Sequence, residues 1–126
     1  MNAFQGKILF VDDCTDTCEM VEVFLRQANL DATCCSCPVE ALNLLKNEKF
    51  DIVFTDLVME GMNGDELCTE ISLHRPGTPV ILITGFPSFE AAVLAMQVGA
   101  HDFLTKPINI HDMILSINEF AHRSVA

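Results

Sequence analysis

ILFVDDCTD, residues 8–16, runs four apolar residues straight into two adjacent carboxylates, Asp12 and Asp13. A short apolar run cut off by polar residues reads as a buried strand. Two like charges where that strand ends cost free energy, so something elsewhere in the chain has to offset them. Outward from this stretch, apolar runs alternate with amphipathic segments. Lys7–Val11 reads as the first strand. A helix follows over 16–28, with Met20/Phe24 and Val21/Leu25/Ala28 at helical spacing. A weaker strand over 32–37 leads to Pro38, which suits a first helical turn, and to the apolar face Ala41, Leu42 and Leu45. DIVFT (51–55) is a strand, Gly61 and Gly64 bracket a loop, and 65–73 is a helix. PVILI (79–83) is a strand. Ser88 caps a helix running to Val98, which Gly99 ends. A short strand over 101–104 precedes a last helix striped by Ile110, Met113, Ile114, Ile117 and Phe120.

Five strand–helix units in strict alternation predict an α/β fold with a parallel sheet covered by helices on both faces. The 126 residues fit one domain, 1–126. The net charge of −11 argues against direct nucleic-acid binding, which needs lysine and arginine to neutralise phosphates. No apolar run approaches the ~20 residues that span a bilayer, and no secretory signal is visible, so a cytoplasmic protein without membrane contact is expected. The six cysteines (Cys14, Cys18, Cys34, Cys35, Cys37, Cys68) fit no zinc framework and read as reduced, small buried hydrophobes.

In an open α/β sheet, ligands bind beyond the carboxyl ends of the strands. Strand one delivers Asp12 and Asp13 there, strand three Asp56, strand four Thr84 and Gly85, and strand five Lys106 and Pro107. Three crowded carboxylates require a raised pKa or a cation. An all-oxygen set with room for water suits Mg²⁺, and Lys106 adds a fixed positive charge. A carboxylate, a divalent metal, an ammonium and a hydroxyl together make a site that accepts a phosphoryl group.

VDD (11–13), TDLVMEGMNGDEL (55–67), ITG (83–85) and FLTKP (103–107) resemble the receiver domain of bacterial response regulators, over essentially the whole chain. PSFEAAVLAMQVGAHDFLTKP (87–107) is most similar to receivers of NtrC-type transcriptional activators. The resemblance implies a CheY-like, flavodoxin-like three-layer (βα)5 sandwich with strand order 2-1-3-4-5. It implies Asp56 as phosphoacceptor, with Mg²⁺ (or Mn²⁺) held by Asp13, Asp56 and the Val58 carbonyl, and with Asp12 acting through water. Thr84 and Lys106 would bind the phosphoryl group, Phe103 would be the aromatic switch, and the Lys106–Pro107 bond would be cis. Implied partners are a histidine kinase or phosphotransfer protein, and a second copy of the chain through the face between the fourth and fifth helices. Implied activity is limited to self-catalysed phosphotransfer and autodephosphorylation. Val58 and Phe86 depart from the commoner polar or small residues beside the path of a hydrolytic water. On the fourth helix, Ala92, Ala95 and Gly99 are assigned to the sheet, which leaves Leu94 as an exposed apolar contact. A metal-dependent phosphohydrolase would instead want its nucleophile and acid–base carboxylate two residues apart after strand one; here the acids are adjacent.

Overall fold

The computed structural model describes residues 6–121. Strands and helices alternate as β1 (Lys7–Val11), α1 (Thr15–Gln27), β2 (Asp31–Cys35), α2 (Pro38–Asn47), β3 (Ile52–Asp56), α3 (Gly64–His74), β4 (Val80–Thr84), α4 (Phe89–Gln97), β5 (Asp102–Thr105) and α5 (Ile110–Ser116). The strands pair in parallel in the order β2-β1-β3-β4-β5, the expected three-layer (βα)5 sandwich. The outer ends of the expected 1–126 unit lie outside the described residues.

The central strands are buried on both faces because their residues alternate between two cores. Ile8, Phe10, Ile52, Phe54, Ile81 and Ile83 meet α1 and α5 on one face. Leu9, Val11, Val53 and Leu82 meet α2, α3 and α4 on the other. Phe10 and Phe54 are fully buried. Truncating either to alanine would cost roughly 3–5 kcal/mol, a large share of a typical domain's stability.

Ser88 caps α4 by accepting from the Ala91 amide at 3.0 Å. Gly99, at φ +83°, ends it in the left-handed conformation that favours glycine. Packing decides two helical faces. On α1 the buried stripe is Cys18, Val21 and Leu25, while Met20 and Phe24 are exposed at 42% and 44%. Packing on the sheet thus selects Val21 and Leu25, with Cys18, over Met20 and Phe24. On α4 only Ala95 is fully buried; Leu94 is half-buried, and the exposed apolar residues are Phe89 and Met96 at 81% and 79%. The exposure expected at Leu94 therefore belongs to Met96, two positions on. The last helix begins at Ile110 but passes at Ile117–Ala121 into a wider π turn, which keeps Ile117, Phe120 and Ala121 buried. None of the described helices is long and apolar enough to cross a membrane.

All six cysteines are free thiols. Burial pushes Cys34 up to about 12, and Cys18 and Cys68 up to about 11. These three thiols are therefore protonated and unreactive at neutral pH. Titration with a thiol reagent should return six groups after denaturation without reductant. In the native protein the exposed Cys14 should react first and Cys18, Cys34 and Cys68 last. A denatured count of four would indicate a disulfide.

Candidate functional site

The strand register brings the acidic residues together. Val11 pairs with Thr55, so Asp12, one residue beyond β1, comes level with Asp56 at the end of β3. Asp56 pairs in turn with Ile83, which leaves Thr84 one step further along β4, and Thr84 pairs with Thr105, just before Lys106. The Lys106 amide closes this edge on the Thr84 carbonyl at 2.8 Å. The Lys106–Pro107 peptide bond is cis.

Asp12, Asp13 and Asp56 each offer a carboxylate oxygen within 4.8 Å of the others. Two full charges about 4 Å apart repel by about 4 kcal/mol at an effective dielectric of 20. Lys106 provides the main offset: its Nζ lies 3.0 Å from Asp56 Oδ2 and 3.7 Å from Asp12 Oδ2. The first is a hydrogen-bonded ion pair; the second is too long for a hydrogen bond. Burial alone would depress the Lys106 ammonium, but the two carboxylates outweigh it and hold its pKa above the usual lysine value.

The two adjacent acids have different environments. Asp12 is 1% exposed and Asp13 is exposed. Burial pushes the Asp12 carboxyl above the usual range; the Cys14 amide, donating to Oδ1 at 3.0 Å, and Lys106 pull it back, while Asp56 and Asp13 push it further. Among the described residues, Asp12 Oδ2 is a buried oxygen without a hydrogen-bond partner. Asp13 turns outward, and its Oδ2 accepts from the Glu60 amide at 3.0 Å, tying the loop after β3 to the loop after β1. A buried oxygen with no donor, in an all-oxygen cluster carrying excess negative charge, suits a hard divalent cation.

The remaining candidates surround this cluster. Thr84 is buried, and its Oγ1 accepts from the Phe86 amide at 3.1 Å. Phe103 is half-buried on β5, against the core shared with α2, α3 and α4. The Val58 and Phe86 side chains are exposed at 67% and 85%. Sequence reading overlooked how the loop over 57–63 is pinned. Met59 is buried under it, the Met59 amide donates to Asn63 Oδ1 at 3.1 Å, and the Gly64 amide donates to the Leu57 carbonyl at 2.8 Å. The sequence signal was the pair Gly61 and Gly64, which marks a loop here but neither its full extent nor its contacts.

The model of the response regulator receiver domain family matches residues 8–118. Response regulator protein PilR of Pseudomonas aeruginosa is 38% identical over 104 residues, which are 82% of this chain and 23% of that protein. Transcriptional regulatory protein ZraR of Klebsiella oxytoca is 32% identical over 119 residues, 94% of this chain and 27% of that protein. The chain thus spans about a quarter of the length of the curated relatives it matches, and they agree with the expected kinship to NtrC-type regulators. The crystal structure of a CheY-like receiver domain protein from Methanospirillum hungatei superposes with a TM-score of 0.89 at 28% identity, covering 96% of this chain and 97% of that one.

Asp12→Asn should stabilise the protein in the absence of divalent metal. It keeps an oxygen for the Cys14 amide and removes a buried charge whose folded-state pKa is raised. A raised carboxyl pKa means that the folded state holds its proton more tightly than the unfolded state, so the penalty is largest at neutral pH and vanishes below the unfolded pKa. In EDTA, Asp12→Asn should melt several degrees higher than wild type at pH 7, with the gap closing as pH falls through the raised Asp12 pKa. Equal melting temperatures at pH 7 would show that the crowding is already relieved within the chain.

Proposed function

The chain belongs to the response regulator receiver domain family of two-component signalling, and from that premise we propose that Asp56 accepts a phosphoryl group in a Mg²⁺-dependent reaction. What supports this most directly is Asp56 itself. It is a buried carboxylate at the end of a central strand, 3.0 Å from a lysine ammonium and beside two further acids.

Asp12, Asp13 and Asp56, with the Val58 carbonyl, would hold Mg²⁺, or Mn²⁺ in its place. The metal, when bound, supplies positive charge that offsets the carboxylates and the phosphoryl oxygens. The remaining work falls to side chains of this chain. An Asp56 oxygen attacks phosphorus, a new O–P bond forms, and the donor's bond to phosphorus breaks with its electron pair leaving on the donor. Lys106 moves its ion pair from the carboxylate to a phosphoryl oxygen, and the Thr84 hydroxyl turns from the Phe86 amide to donate to another. That movement, with reorientation of Phe103, shifts the domain between two states. Residues 1–126 form one such domain in this proposal, and self-catalysed loss of the phosphoryl group is its only other reaction.

The donor would be a histidine kinase or phosphotransfer protein in the cytoplasm. Met20, Val23 and Phe24, exposed at 42%, 53% and 44%, stand at helical spacing on α1, the helix that follows Asp12 and Asp13, and form an apolar stripe that such a partner could cover. Met96 on α4 and Leu115 on α5, exposed at 79% and 54%, are apolar side chains available to the second copy or effector proposed for the face between those helices.

Two measurements test these roles. Wild type with acetyl phosphate and Mg²⁺ should gain one phosphoryl group by intact mass, and Asp56→Asn should gain none; an adduct surviving in Asp56→Asn would move the acceptor elsewhere. Val58 stands two residues beyond Asp56 and Phe86 two beyond Thr84; if their exposed apolar side chains border the path of a hydrolytic water, as the resemblance implies, they offer it no hydrogen-bonding partner. Val58→Asn with Phe86→Ala should shorten the lifetime of the phosphoryl group, by less than the roughly hundredfold at the lower end of what a positioned proton-transfer group contributes. An unchanged decay rate would clear both residues of that role.

A further inference from the structure

Gly64 is distinguished by the space around it. A Cβ built there would lie 2.2 Å from the Asp56 carbonyl oxygen, 2.9 Å from Leu57 Cα and 3.0 Å from the Asp56 carbonyl carbon. Gly61 and Gly77 would meet nothing within 4 Å. Gly64 also lacks the positive φ of Gly61 and Gly99, so its backbone conformation does not call for glycine. Its missing side chain lets the first turn of α3 seat directly on the backbone of Asp56.

That close approach forms the neck of the loop over 57–63. The Gly64 amide bonds the Leu57 carbonyl at 2.8 Å, and Asn63 Oδ1 holds the Met59 amide at 3.1 Å. Between these contacts lie Val58 and Glu60, whose amide reaches Asp13 Oδ2 at 3.0 Å. The strand side of the neck is fixed as well: the Leu57 amide donates to the Ile83 carbonyl at 2.7 Å, and the Thr55 hydroxyl donates to the Asp56 carbonyl at 3.1 Å.

We propose that Gly64, together with Asn63, is a positioning residue for phosphoryl uptake: the neck they form sets the backbone from which the Asp56 carboxylate is aimed. This rests on the acceptor role proposed above. A methyl at 64 has to move about 1 Å before it reaches an ordinary contact near 3.4 Å. It can push the end of β3, which is held on both sides, or lift α3, which carries Asn63 away from the Met59 amide. Either movement shifts the acceptor against its neighbours, and a misplacement of about 1 Å can slow a reaction by about a hundredfold.

The experiment compares wild type, Gly64→Ala, Asn63→Ala and the open-space control Gly77→Ala. All are measured well below their melting temperatures, with acetyl phosphate uptake followed by intact mass and Mg²⁺ affinity by calorimetry. Wild type and Gly77→Ala should match. Gly64→Ala should take up phosphoryl roughly ten- to a hundredfold more slowly and bind Mg²⁺ more weakly. Asn63→Ala should slow uptake about threefold, as loss of one hydrogen bond implies. If Gly64→Ala does not fold, Asn63→Ala decides alone. Lower melting temperatures with uptake rates and Mg²⁺ affinities equal to Gly77→Ala would make the neck merely structural and overturn the proposal. A wild type that forms no adduct would remove the acceptor reading and this one with it, whereas a wild-type adduct with an unimpaired Gly64→Ala removes this one alone.

Discussion

Negative charge held at one end of a parallel sheet is the constraint that organises this molecule. Burying a charged group is costly unless it is paired. Here Asp12 and Asp56 are both buried, Asp13 stands beside them, and among the described residues one ammonium within ion-pair distance faces all of that charge. Such an arrangement is under-compensated: Asp12 Oδ2 keeps no hydrogen-bond partner among the described residues, and burial raises the Asp12 pKa. A core built only for stability would not retain it. In the function proposed above, a site that attracts a divalent cation and then a phosphoryl group would be built this way, because charge satisfied in advance would leave nothing for the ligand to offset.

The fold supplies the rigidity that holds like charges together. β3 and β4 are buried at every residue and β1 at all but its first, so the strand ends cannot separate without exposing apolar surface on both faces. Burial contributes about 25 cal/mol per Å² of apolar surface, so the two cores outweigh a few kcal/mol of repulsion at the edge. The register does the rest. Asp12 simply continues β1 until it is level with Asp56, and no special turn is needed to bring residues 44 positions apart into one cluster.

Those features were legible because each rests on a local signal. The strands appear as apolar runs, and Asp12, Asp56, Thr84 and Lys106 each stand within two residues of the end of one. What the sequence did not reveal is set by tertiary packing. ILFVDD presents Asp12 and Asp13 as equivalent; only the register shows that one continues into the buried edge while the other turns out to take the Glu60 amide. Helical spacing fixes which residues share a stripe but not which stripe meets the sheet, so it left open that Met20 and Phe24 of α1 are exposed, and on α4 it misplaced Leu94, which is half-buried. The contact between Gly64 and the Asp56 carbonyl spans eight positions and involves a side chain that does not exist, so no pattern of residue types announces it.

The same packing decides where a change of charge at Asp56 would be felt. α1 buries three residues, and α2 and α3 four each, whereas α4 buries Ala95 alone. The segment joining β4 to α4 carries exposed Phe86, leads into exposed Phe89 at the start of α4, and begins one residue beyond Thr84, whose hydroxyl accepts from the Phe86 amide. Drawing Thr84 toward a phosphoryl group would therefore release that amide at the head of the least anchored helix. Elements with few buried contacts move at the lowest free-energy cost. In the function proposed above, α4 would then be displaced while the doubly buried strands keep their places, so a charge added at the sheet edge would alter a distant surface without loosening the core that holds it.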